Sequence, residues 1–160
     1  MKRLLTALTT GFMSIVLCIS VALAEEIKTD YFTLNLPEGW TQPQPMQSAN
    51  GAVIAFAQNS ADKSVLSIAI TPVSLPARDM ATQTLANMKA GGITVSDPVQ
   101  SGDTYVAEFT QNQSKGVGYF TSNGKVNSVV IIIGSTTDAG KELMNKQFKP
   151  ADAKLFPSSY

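Results

Sequence analysis

The chain has 160 residues, with twelve basic and twelve acidic side chains, no histidine, one cysteine and 44% hydrophobic residues. A balanced charge with no basic stripe excludes the electrostatic footprint of a nucleic-acid or anionic-membrane binder. The missing histidine removes the commonest general base and the commonest zinc and copper ligand.

The first 24 residues read as an export signal. Lys2 and Arg3 precede an apolar run from Gly11 to Val21, which ends at Ala22-Leu23-Ala24. The positive start orients the segment, the apolar run enters the bilayer, and the small residues Ala22 and Ala24 suit a signal peptidase. Cleavage is expected between Ala24 and Glu25. The rival is an uncleaved anchor, since Leu4 to Ala24 approaches the ~20 residues that a spanning helix needs. Thr6, Thr9, Thr10, Gly11 and Ser14 weaken that rival by lowering the hydrophobicity of its first half. A lipid anchor would need a small residue before Cys18, where Leu17 stands. Localisation is therefore expected to be periplasmic or secreted in a bacterium, with no integral membrane segment after signal removal.

What remains is one expected domain, residues 25–160, long enough to bury roughly two-thirds of its unfolded surface. Taking Lys2 and Arg3 from the twelve basic residues leaves ten against twelve acids, a formal charge of −2. Cys18 falls in the signal, so the domain has no disulfide and no thiol nucleophile.

In chain order, Tyr31-Phe32-Thr33-Leu34-Asn35-Leu36 alternates and predicts a first strand, stopped by Pro37-Glu38-Gly39. Thr41 to Ser48, with Pro43 and Pro45, reads as a stiff surface loop and a contact surface. Ala52 to Ala57 and Val65 to Thr71 read as a hairpin. Ala77, Met80, Ala81, Thr84, Leu85 and Met88 share a helical face, so Ala77 to Lys89 is a helix ended by Gly91-Gly92. Ile93 to Gln100 reads as a short strand broken by Pro98, followed by a strand from Thr104 to Gln111 and a turn at Asn112-Gln113-Ser114. Lys115 to Ser122 and Lys125 to Gly134 form a hairpin, with Asn123-Gly124 expected in a type I′ turn.

The run Val129-Val130-Ile131-Ile132-Ile133 is apolar on both faces, so its strand must be central and covered on both sides. A second helix from about Asp138 to Phe148 offers Leu143, Met144 and Phe148 inward. The tail Lys149 to Tyr160 is expected to dock through Leu155 and Phe156 and to fray at its end. The fold class is α+β: a mostly antiparallel sheet flanked by helices, an α/β/α sandwich.

Candidate chemistry is sparse. Gly134-Ser135-Thr136-Thr137-Asp138-Ala139-Gly140-Lys141 follows a strand and opens a helix, but five residues separate its glycines and Glu142 follows its lysine, so it fails as a phosphate loop. It reads as a helix start capped by Thr136 or Thr137. Ser60-Ala61-Asp62-Lys63 matches S-x-x-K without the companion motifs of acylating serine enzymes and reads as a solvated turn. Asp97, Asp103 and Glu108 match no calcium loop. Met46, Met80, Met88 and Met144 offer soft copper(I) donors, against which core filling is the plainer account. Asn112-Gln113-Ser114 is a formal glycosylation sequon. No catalytic, cofactor-binding or metal-binding residue is assigned.

Tyr31 to Trp40, with its Pro37-Glu38-Gly39-Trp40 turn, resembles the opening of PsbP-like and DcrB-like domains, and the order of elements agrees from about Ile27 to Phe148. The superfamily also includes a Ran-binding nuclear import factor. The resemblance implies an α/β/α sandwich, a non-enzymatic role and a partner to be bound or stabilised, here an unknown envelope protein. Pro37, Gly39 and Trp40 are the family-like residues, making a turn and burying an indole. Two alternatives stay open. One is a small-molecule or lipid carrier with space beside Ala77, Ala81 and Ala86; the other is a carboxylate-dependent hydrolase using Asp97, Asp103 and Glu108.

Intact-mass measurement on the envelope-fraction protein is expected to find a chain beginning at Glu25. A chain retaining Met1, or one acylated at Cys18, contradicts this reading.

Overall fold

The computed structural model describes residues 25–160. The proposed signal and its cleavage site at Ala24 lie outside or at the border of the described residues. Twelve strands and two α-helices follow one another as β1 (Glu25–Lys28), β2 (Phe32–Leu36), β3 (Trp40–Thr41), β4 (Gln47–Ala49), β5 (Ala52–Asn59), β6 (Ser64–Thr71), α1 (Ala77–Ala90), β7 (Thr94–Val95), β8 (Val99–Ser101), β9 (Thr104–Gln111), β10 (Ser114–Ser122), β11 (Asn127–Gly134), α2 (Asp138–Gln147) and β12 (Phe148–Pro150). A short 3₁₀ turn at Ala153–Leu155 closes the chain.

The main sheet runs β3-β5-β6-β11-β10-β9-β7, with β4 also on β5 and β8 also on β9, and every pairing is antiparallel. The expected mostly antiparallel sheet flanked by helices is therefore the fold. β11 stands in the middle, as its two-sided apolar run requires. On one face Val130 and Ile132 are fully buried beneath α2, β2 and the tail, together with Leu66, Ile68 and Ile70 from β6. On the other face α1 lays Met80, Ala81 and Leu85 over Ala107 and Phe120, with Val129 and Ile131 packed at the margin.

Two glycines make room for close packing, one between layers and one within the sheet. A Cβ on Gly140 would lie 2.3 Å from Ile132 Cγ2, so α2 rests its backbone directly on the central strand. A Cβ on Gly116 would meet the Phe109 ring at 2.2 Å, and Phe109 fills that space from the neighbouring strand.

Several expectations are corrected. The β10–β11 connection is four residues long, since Ser122 pairs with Asn127, and Asn123 does not take a positive φ. Instead the Asn123 carboxamide oxygen accepts from the Lys125 and Val126 amides at 3.0 and 2.8 Å. The two-residue turn with both φ angles positive falls at Asn112 (φ 47°) and Gln113 (71°), between β9 and β10. Ile93 to Gln100 divides into β7 and β8. α2 stops at Gln147 because Phe148 is already extended and pairs with Leu34. Neither Thr136 nor Thr137 caps α2 in the expected way; Thr137 occupies the cap position without a side-chain bond, and the Thr136 hydroxyl accepts a long bond of 3.4 Å from the Asp138 amide.

The tail does not fray. Leu155 and Phe156 are buried, the Ser128 hydroxyl donates to the Leu155 carbonyl, and the Asn145 carboxamide clasps Tyr160 through its backbone amide and carbonyl at 3.0 and 3.1 Å. Phe148 stacks with Phe32 and Phe156 at centroid distances of 5.3 and 4.7 Å, and Tyr160 meets Tyr119 edge-on at 5.0 Å. Aromatic packing of this kind outweighs the polarity of the intervening residues. The Tyr160 hydroxyl is buried without a hydrogen-bond partner, and burial pushes its pKa well above the ordinary tyrosine value.

Gly140→Ala is expected to destabilise the domain by about 1–3 kcal/mol through overpacking. Combined with Ile132→Ala, which removes the opposing methyl, it is expected to cost less than the two single changes added together in urea unfolding. Additive costs contradict the contact.

Stability is expected to be fully present below about pH 10, the unfolded tyrosine value, and to fall as pH rises further, because the unfolded chain ionises Tyr160 and the folded chain resists it. Tyr160→Phe should flatten that fall and match or exceed the parent at pH 7, having no hydroxyl to desolvate. A loss above about 1 kcal/mol at pH 7 contradicts the account.

Candidate functional site

The residues singled out for chemistry are dispersed. Asp103 sits in the β8–β9 turn and Glu108 five residues along β9, about 16 Å away at strand rise. Asp97 lies on the β7–β8 link, and all three carboxylates are exposed. Among the described residues no group of three or more histidine, cysteine, aspartate or glutamate side chains is placed to hold a metal ion. Met80 and Met144 are buried in separate cores on opposite faces of the sheet, with Met88 half-buried against the first and Met46 against the second. Ser60 is exposed in the β5–β6 loop, where Lys63 takes a positive φ of 54°.

Pro37, Gly39 and Trp40 form a tight turn. Gly39 has φ 87°, and the Trp40 amide donates to the Pro37 carbonyl at 3.0 Å, the geometry of a type II turn. The Trp40 indole is buried. Beside it runs an open cleft of about 340 Å³ lined by Glu38, Asp62, Glu142 and Lys146 among others. Lys146 donates to Glu142 at 2.5 Å and holds that carboxyl below its usual range.

The helix α1 seats tightly on the sheet. Ala81 is fully buried, Ala77 half-buried and Ala86 exposed, so of the three small residues only Ala81 lies wholly between helix and sheet. A cleft of about 170 Å³ lies outside α1, between Thr82, Ala86 and Lys89 and the β7–β8 link.

Both edges of the main sheet are blunted. β3 and β4 flank the outer edge of β5 as two ends of one interrupted strand: Thr41 pairs with Gln58 and Gln47 with Ile54, while Pro43 and Pro45 carry the chain between them away. The loop Thr41 to Ser48 is thus anchored at both ends as an edge bulge. At the opposite edge β7 and β8 flank β9 in the same way, separated at Asp97-Pro98, where the Ser96 amide donates to the Glu108 carbonyl at 2.8 Å. Prolines and bulges at edges suppress strand addition.

The most informative surface went unnoticed in the sequence. α1 packs on β7, β9 and β10, and its reach ends at Val129 and Ile131 of β11. Beyond it, the same face of β5, β6 and the end of β11 presents Ile54, Phe56, Val65, Ser67, Ala69 and Ile133. These side chains belong to neither buried cluster, five of them are half-buried, and Val65 is 40% exposed. None of the six ionises. The two-sided apolarity of β11 was visible, but the alternation Val53-Ile54-Ala55-Phe56 carries apolar residues to both faces of β5 as well, and that was the available signal.

No family model matches the chain, and no curated protein matches it. Among solved structures, it is similar to a crystal structure from Bacteroides thetaiotaomicron VPI-5482 determined at 1.50 Å resolution, with a TM-score of 0.42 and 11% sequence identity over 76% of this chain. The match spans 46% of that chain, about half its length. No helix among the described residues is long and apolar enough to cross a membrane.

Proposed function

We propose that this chain is an exported, non-enzymatic binding or accessory domain of the PsbP-like or DcrB-like kind, acting on a protein partner in the bacterial envelope through the bare half of its main sheet. The observation that carries the reading is the contiguous uncharged strip of Ile54, Phe56, Val65, Ser67, Ala69 and Ile133 on a face that α1 covers only over its other half. An apolar patch held open on a folded domain marks an interaction surface. Blunted edges leave the face, and the loop 41–48 that rims it at β5, as the available contact surfaces. The scattered carboxylates weigh against the hydrolase, and the close seating of α1 weighs against the carrier.

Phe56→Lys should lower the domain's melting temperature little, since the half-buried ring lies on the face that α1 leaves open and a lysine's ammonium reaches solvent from there. In detergent-solubilised native envelope, the parent chain is expected to migrate on native gels in an assembly larger than the free domain, with or without EDTA, and Phe56→Lys to migrate as the free domain. A parent chain that migrates free, or a variant that stays in the assembly, contradicts the proposal; loss of the parent assembly with EDTA reveals a metal dependence absent from it.

A further inference from the structure

The bare half of the sheet has a definite shape. Its floor is three strands wide, β5, β6 and β11, which at the usual spacing is about 14 Å. A single α-helix with its side chains is about 10–12 Å across. The neighbouring half, over β9 and β10, is already occupied by one helix, α1, so this face takes helices at that spacing. α1 also supplies a side wall. Thr82 and Lys89 face the β7–β8 link, and helical spacing puts Gln83 and Asn87 on the opposite flank, toward the vacancy. Those two residues are polar and uncharged, suited to hydrogen-bond the polar margin of a helix lying alongside.

One end of the trough is closed by the β6–α1 link. It is pinned by Asn127, whose side-chain nitrogen donates to Ser122 Oγ at 2.7 Å and to the Leu75 and Val73 carbonyls at 2.9 and 3.2 Å, the amide orientation those oxygens require. The Ser74 hydroxyl donates to the Gly124 carbonyl at 2.8 Å, fixing the same link from the other side. The vacancy therefore has a floor, a wall and an end stop.

Other occupants fit less well. The floor measures on the order of 350 Å² from strand rise and spacing, well below the roughly 800 Å² per partner of a stable pairing, so two copies stacked floor to floor are under-buried. Strand addition is blocked at both edges by the bulges. A helix sunk beside α1 gains the wall as well as the floor, at the 8–10 Å axis separation of packed helices.

We propose that this trough seats one amphipathic helix of a protein partner, packed beside α1 with its apolar stripe on Ile54, Phe56, Val65 and Ile133. The floor carries no charge, so the stripe that meets it must also be uncharged, with apolar residues spaced three and four apart. This rests on the binding-face reading above and specifies its partner.

The test uses the full chain in its native cells, with a photoreactive benzoylphenylalanine placed in turn at Phe56, at Val65 and, as a control, at Val99, which is 67% exposed on edge strand β8. Melting of each purified protein checks the fold, and Val65 provides a second position if Phe56 tolerates the probe poorly. The expected result is a protein adduct at Phe56 and Val65 at least five times the yield at Val99. Mass mapping should put both adducts on one partner segment, at positions that share one face of a helix. Adducts on lipid, on a second copy of this chain, or at alternating positions of a segment overturn the helix and leave the binding face standing. Yields at Phe56 and Val65 no greater than at Val99 overturn both.

Discussion

A strand that is apolar on both faces demands cover on both, and Val129 to Ile133 imposes that demand on the middle of this domain, met in full on one face and on the other only as far as Ile131. One face is met by two elements at once: α2 brings Gly140 against Ile132, and the tail brings Leu155 and Phe156 under Ser128 and Phe32. The other face is met by α1 alone. A single helix about 10–12 Å across covers two to three strands of a seven-position sheet, so covering β9 and β10 leaves β5 and β6 open. The unequal cover is thus a consequence of having two helices and one tail to distribute over two faces of a wide sheet.

Most of this order was legible from residue patterns. The alternation of Phe32, Leu34 and Leu36, the helical spacing of Met80, Ala81 and Leu85, and the two-sided run in β11 all found their places. Short edge elements were not legible, because two- and three-residue strands such as β3, β7 and β12 are made by register with a neighbour and carry no period of their own. The turn chemistry misled at Asn123-Gly124, where the asparagine side chain caps its own loop and lengthens it, while Asn112-Gln113 adopts the tight mirror turn without a glycine. The tail was misjudged for a similar reason. Phe148, Phe156 and Tyr160 are separated by mostly polar and small residues, yet one aromatic cluster gathers them.

The candidate site was legible only in part. Pro37, Gly39 and Trp40 make the turn and bury the indole that the resemblance implied, and their role is structural. The bare face could not be read from β5 alone, because Ile54 and Phe56 look like core residues until the element that should cover them is found to stop short. An exposed apolar sheet face is a liability for a monomer, and the domain limits that liability by blunting both edges and keeping the strip to three strands.

The domain from Glu25 onward has no cysteine, so a single introduced thiol reports on one place. Maleimide labelling of Phe56→Cys, compared between purified protein and intact cells, tests the central claim directly. Ready labelling of the purified protein is expected, with little labelling of Ile132→Cys in the buried core and protection of position 56 in cells. A position 56 thiol that is unreactive in the purified protein would mean that the face is covered by the chain itself, and one equally reactive in cells would mean that nothing docks there.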